Sequence, residues 1–229
     1  MAGSEADVDI GTALENQTGL LHLTTRTIPR LSIDALGRVG INNSAPTRTL
    51  DVNGSIRLRA GLPVKGSILT SEDGSGNATW ESPVAFLARG VETTNSANVI
   101  PSVTDKVVLF NSETYDLGSD FNLSNGTFTA PITGIYHFDA ALLWNNPGAN
   151  TGYVAVSLLN QNNSVIATSR VAAVNSTDVT TLISTTIRLT TGSTVRVAAY
   201  QAVQGGVNET LETDSRVAWF NGYLVKRSD

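Results

Sequence analysis

Cysteine is absent from the 229 residues, which removes disulfides, thiolate nucleophiles and sulfur-ligated metals together. Basic clusters are missing too. No run of Lys or Arg is longer than Lys226-Arg227, the net charge is −5 and the pI is near 5.0, so the chain lacks the electrostatic footprint of a nucleic-acid binder. No segment approaches the roughly 18 consecutive apolar residues that a membrane helix requires. The start Met1-Ala2-Gly3-Ser4-Glu5 has neither a basic n-region nor an apolar h-region. The expectation is a chain without membrane insertion or a signal peptide. Sustained helical period is lacking as well. So are Gly-rich phosphate loops, zinc spacings and calcium-loop patterns.

What is present favours short strands and turns. Hydrophobic residues make up 41% and charged residues 15%, with Thr, Ser, Asn and Gly crowding the remainder. The length suits one large all-β domain, or a medium domain with an appendage. Residues 1 to about 83 hold brief apolar alternations separated by Gly, Asn and Pro: Leu21, Leu23; Leu31, Ile33; Val39, Ile41; Leu50, Val52; Ile56, Leu58; Ile68, Leu69. Each is too short to build a sheet with its own two-sided core, so this region is expected to complete its core with copies of itself. After Glu81-Ser-Pro83 the strands lengthen. They are expected near 84–90, 105–111, 126–130, 134–145, 152–160, 165–173, 178–190, 194–203 and 216–226, an all-β sandwich or barrel.

Residues Gly126-Thr-Phe-Thr-Ala-Pro-Ile-Thr-Gly-Ile-Tyr-His-Phe138 match "G-x-F-x-A-P-x-x-G-x-Y-x-F", the most recognisable stretch of the C1q family, at every fixed position. Phe86-Leu-Ala88, Leu189-Thr-Thr-Gly-Ser-Thr-Val-Arg-Val197 and Phe220-Asn-Gly-Tyr-Leu224 resemble the first strand, the "L-x-x-G-x-x-V-x-V" and the closing "F-x-G-x-L" of that family. The resemblance implies a C1q/TNF-like jelly-roll head over 84–229. Pro131 lacks an N–H and should interrupt the ladder where the chain turns, and Gly134 should ease the bend into the next strand. Upstream, Leu31-Ser-Ile-Asp-Ala-Leu-Gly-Arg-Val-Gly-Ile41, Leu50-Asp-Val-Asn-Gly-Ser-Ile-Arg57 and Glu72-Asp-Gly-Ser-Gly-Asn-Ala-Thr-Trp80 resemble a stem that precedes the heads of phage tail fibres and large bacterial surface proteins. Arg38 and Asn42 depart from its usual Asn and Gly. The expected architecture is therefore a C1q-like head on a short β-rich trimeric stem, 1–83.

The strands around 134–144 and 217–225 carry apolar groups at both parities. Tyr136, Phe138, Ala140, Leu142 and Trp144 alternate with Ile135, Ala141 and Leu143, and Val217, Trp219, Tyr223 and Val225 alternate with Ala218, Phe220 and Leu224. A strand apolar on both faces needs a second partner surface, and C1q-like domains supply it by packing around a three-fold axis. Tyr136, Phe138, Leu143, Trp219, Phe220 and Tyr223 are the expected trimer interface and core of a homotrimer.

Antiparallel strands alternate direction, so successive loops alternate between the ends of the barrel. With both termini at the base, loops 145–151, 174–178 and 204–215 fall at the distal end. Asn145, Asn146, Asn150, Asn175, Asp178, Gln204, Asn208, Glu209, Glu212 and Asp214 are the candidate ligand-binding set, since Asn and Asp side chains suit hydroxyl recognition and loops on a rigid scaffold carry binding. The same residue types also satisfy turns.

No convergent acid, base and nucleophile is recognisable, and no catalytic residue is expected. His22 and His137 lie in different regions. His137 belongs to the face opposite the core aromatics, at a trimer seam or in solvent. Glu209 and Glu212 are the one carboxylate pair worth testing for glycoside hydrolysis. No cofactor is expected, although some C1q-like heads bind calcium through exposed carboxylates, which Asp178, Glu209, Glu212 or Asp214 would supply. The leading functional expectation is the receptor-binding or adhesive tip of a trimeric fibre on an extracellular particle, a phage tail or contractile injection system. Its partners would be two further copies, a host cell-surface receptor or glycan, and an upstream fibre or baseplate protein. A bacterial surface or secreted C1q-like adhesin, and a structural head that registers the stem, are the alternatives.

Overall fold

The computed structural model describes residues 19–59, 63–148, 151–174 and 177–228. The chain divides into two compact units, Met1–Ala60 and Gly61–Asp229. Among the described residues the one helical element is a 3₁₀ turn at Thr94–Ser96, and no helix is long and apolar enough to cross a membrane.

The first unit is a small sheet of β1 (Leu21–Thr25), β2 (Ile28–Ile33), β3 (Val39–Ile41) and β4 (Leu50–Val52), paired in that order. β1, β2 and β3 run antiparallel, whereas β4 lies parallel to β3. The β2–β3 turn is fixed by Asp34, whose carboxylate accepts from the N–H groups of Leu36 at 3.0 Å and Arg38 at 2.9 Å. Arg38 pairs with the same carboxylate at 2.7 Å. Asp51 fixes the β3–β4 connection by accepting from the Thr47 N–H at 2.9 Å and its hydroxyl at 3.0 Å. Leu23, Ile28, Leu36 and Leu50 stay exposed, as expected of alternations too short to enclose a core.

The second unit begins with the hairpin β5 (Ile68–Ser71) and β6 (Ala78–Glu81). The sandwich follows, from β7 (Ala85–Val91), β8 (Val99–Ile100), β9 (Lys106–Val107), β10 (Phe110–Asp116), β11 (Phe121–Asn122) and β12 (Thr127–Thr129). It continues through β13 (Gly134–Trp144), β14 (Gly152–Leu159), β15 (Val165–Ala172) and β16 (Val179–Leu189) to β17 (Thr194–Val203), β18 (Glu209–Thr210) and β19 (Trp219–Arg227). One sheet has the order β10-β7-β19-β13-β16, the other β11-β12-β17-β14-β15 with β9 also on β17. The strand expected over 105–111 is instead β9 followed by the start of β10. Its Asn-Ser-Glu-Thr run has no apolar alternation, and pairing to β7 alone holds it at the sheet edge. β8, β11 and β18 are two residues each, too short to leave a period in the sequence.

The Gly126–Phe138 segment is the corner where the chain leaves one sheet for the other. Phe128, on β12, packs edge-on against Tyr136 at 5.5 Å and Phe138 at 5.3 Å, both on β13. Phe86 stacks on Phe121 at 4.6 Å and meets Phe220 edge-on at 4.9 Å. Each such buried ring stabilises the fold by about 1.5–3 kcal/mol, so the motif joins the two layers rather than merely filling one. The Tyr136 hydroxyl donates to the Ile132 carbonyl at 2.6 Å, and the Trp144 indole donates to the Thr181 hydroxyl at 3.2 Å, so neither ring leaves a buried donor unpaired. Gly134 matters for close approach, not for bending. A Cβ there would sit 2.6 Å from Leu224 Cδ1 and 2.8 Å from the Lys226 carbonyl of β19.

Candidate functional site

The sandwich has two distinct ends. Chain entry and exit share one of them: the Leu224 N–H donates to the Val84 carbonyl at 3.1 Å, and Arg227 pairs with Glu81 at 2.9 Å. At the opposite end Trp144 lies across from Val179 and Gly152 from Val203, so the loops after β13, β15 and β17 meet there.

Side-chain and backbone hydrogen bonds bind these loops to one another. The Asp178 carboxylate accepts from the Asn146 N–H at 3.0 Å, and the Gln204 N–H donates to the Thr151 carbonyl at 3.1 Å. The Asn145 N–H donates to the Thr210 carbonyl at 2.9 Å. Glu209 is 5% exposed, and its carboxylate accepts from the Gly148 N–H at 3.2 Å. Sequence reasoning places Glu209 among the ligand contacts, but here it is an internal brace. Glu212 is half-buried and accepts from the N–H groups of Thr213 at 2.7 Å and Asp214 at 3.3 Å. Hydrogen bonds from Arg216 hold the Asp214 carboxyl down to about 2. Asn146 and Asn208 are exposed and, among the described residues, their side chains make no hydrogen bond. Asn150 and Asn175 lie outside the described residues. Asp178 and Glu209 are engaged by the loop after β13, Glu212 and Asp214 are engaged within their own loop, and no group of three His, Asp or Glu able to hold a metal forms among the described residues.

Gln201 is absent from the sequence-derived set. It occupies an inward position among Val195, Val197, Ala199 and Val203, and it is fully buried. A lone amide in that apolar alternation is the signal that marks it. Its side chain holds the start of the 204–218 loop against the loop around Ile100.

The outer face of the five-stranded sheet is the second feature. Register places Ile135, His137, Asp139, Ala141 and Leu143 outward on β13, beside Leu182 and Ser184 of β16 and Trp219 and Tyr223 of β19. Leu182 is 57%, Tyr223 44% and Val225 54% exposed. Of the residues expected at an interface or core, Tyr136, Phe138 and Phe220 are wholly inside the sandwich. Leu143, Trp219 and Tyr223 are on the outer face. At its centre His137 lies 5.2 Å from the Tyr223 ring. Its Nε2 meets Asp139 Oδ1 at 3.0 Å and the Ser184 hydroxyl at 3.4 Å. A nucleophile, base and orienting acid act in series through both ring nitrogens, whereas here both partners address one.

Comparisons with known proteins agree with this geometry. The C1q domain matches residues 86–225. The globular domain of the zebrafish complement 1qA protein superposes with a TM-score of 0.50 at 21% identity, over 65% of this chain and 100% of that one. Eiger TNF from S. frugiperda gives 0.48 at 8% identity, over 65% and 96%. Murine APRIL gives 0.46 at 12%, over 62% and 99%. No curated protein matches the chain. C1q/TNF domains typically form homotrimers, bind receptors and are generally non-enzymatic binding modules. With an all-β jelly roll in place and a domain match spanning more than half of its length, this chain belongs to the C1q domain family.

Proposed function

We propose that the protein is the adhesive head of a trimeric fibre. Three copies pack through the outer faces of their five-stranded sheets, and the loops at 145–151, 173–178 and 204–218 contact a cell-surface receptor or glycan. Residues 1–83 form the stem of this fibre, in a phage tail fibre or contractile injection particle. The observation that carries this reading is the open apolar face of Leu182, Tyr223 and Val225, beside the half-buried Trp219. Apolar surface of that kind on a soluble domain marks an interaction site, and a three-fold assembly would cover it while leaving the loop end free. Exposed apolar groups along β1, β2 and β4 support self-association of the stem in the same way.

Asn146 and Asn208 are the loop residues best placed to meet the ligand, because they are exposed and their side chains are not committed to bracing the loops. In a cell-adhesion assay with labelled full-length protein, the double variant Asn146→Ala/Asn208→Ala should lose adhesion while keeping the wild-type sedimentation mass. Undiminished adhesion would contradict the assignment to this end.

A further inference from the structure

The outer face of the other sheet holds a concavity that neither assembly nor the distal loops use. Its origin is a change of side-chain size along β14. Tyr153, Ala155 and Ser157 point outward in turn, with Ala155 opposite Arg170 on one side and Tyr200 on the other, and Ser157 opposite Thr168 and Ala198. Ala155 and Ser157 are buried although they face outward, because the larger neighbours rise around them. They form the floor of a depression of about 270 Å³ walled by Tyr153, Tyr200, Arg170, Thr168, Val165 and Asp105.

The walls are ordered by contacts of their own. The Tyr153 and Tyr200 rings stack at 5.8 Å with 24° between their planes. The Arg170 guanidinium lies 4.8 Å from the Tyr153 ring centroid, a distance at which the ring face attracts the cation. The Ser157 hydroxyl donates to the Thr168 hydroxyl at 3.0 Å. Among the described residues, neither Arg170 nor Asp105 forms an ion pair. The depression thus offers one unpaired guanidinium, one unpaired carboxylate and several hydroxyls, with apolar surface from Val165 and the ring edges.

We propose that Asp105, Tyr153, Ser157, Thr168, Arg170 and Tyr200 form a second ligand site that takes one neutral pyranose unit of a glycan. The charges decide the class. Asp105 repels an anion and Arg170 a cation, whereas a polyol satisfies both, donating hydroxyls to the carboxylate and accepting from the guanidinium. The volume lies just below the usual range for ligand cavities, about 300–1,000 Å³, and suits a single ring. The site is complete within one chain, so it does not rest on trimer formation or on the distal loops.

The test is calorimetric titration of the full chain with methyl glycosides of glucose, galactose, mannose and N-acetylglucosamine, with glucuronate and glucosamine as charged probes. At least one neutral glycoside should bind at millimolar concentration and more tightly than either charged probe. Arg170→Ala and Asp105→Asn should each weaken it about tenfold without lowering the thermal midpoint, and Asn146→Ala/Asn208→Ala should leave it unchanged. Absence of binding by all four glycosides, binding that survives both site variants, or tighter binding of a charged probe would overturn the proposal.

Discussion

The side-chain amide of Gln201 donates a 2.7 Å hydrogen bond to the carbonyl of Val207. The same nitrogen reaches the Ile100 carbonyl at 3.4 Å, and its oxygen accepts from the Val203 N–H at 3.0 Å. One buried amide therefore ties the longest distal loop to its neighbour from beneath. A buried amide costs free energy unless its hydrogen bonds are made, and here both of its ends are engaged.

Gln201→Leu should therefore destabilise the fold by about 2 kcal/mol, since it strands the Val207 carbonyl and the Val203 N–H without partners. Thermal unfolding should fall by roughly 5 °C. Amide exchange should accelerate in the 203–210 segment more than in β13.

Gly222 answers to packing. A Cβ there would lie 2.6 Å from two ring carbons of Phe138 and 2.7 Å from Phe86 Cε1. Both rings sit at the centre of the core with no room to withdraw. Gly222→Ala should cost about 3 kcal/mol, read as a lower denaturation midpoint in urea.

Asp120 gives the sandwich a pH dependence. Burial, with a contribution from the nearby Asp116 carboxylate, pushes its carboxyl from 3.8 up to about 6, and Oδ2 is buried without a hydrogen-bond partner among the described residues. The folded state thus binds the proton more tightly than the unfolded state does. Stability is greatest below pH 3.8 for this group and falls as pH rises to about 6, with the penalty full above that. Allowing for solvent screening, the penalty is on the order of 1 kcal/mol. Asp120→Asn should raise the melting temperature at neutral pH and leave it nearly unchanged in acid; equal gains at both would contradict this account.

The head is legible in the sequence because its long strands are apolar runs bounded by turn residues and its corner carries a dense motif. Phe128, Tyr136 and Phe138 are where the motif puts them because each fills the space between two sheets. The distal residues are less legible. Glu209 and Asn208 are adjacent polar residues in one loop, yet one braces Gly148 from inside and the other faces solvent. That difference depends on which loop crosses which, a long-range fact with no local signature. The lateral concavity is hidden for the same reason. Ala155 and Ser157 look like unremarkable strand residues until β15 and β17 set Arg170, Thr168 and Tyr200 around them.

The proposed three-fold packing of the outer sheet face is the central claim, and sedimentation equilibrium of the full chain tests it most directly. The wild type should sediment at three times the 24.1 kDa chain mass. Leu182→Asp with Tyr223→Asp, which places unpaired carboxylates in a seam that must dehydrate, should sediment as a single chain with its circular dichroism unchanged. A wild type that sediments as one chain, or a trimer that survives both substitutions, would contradict it.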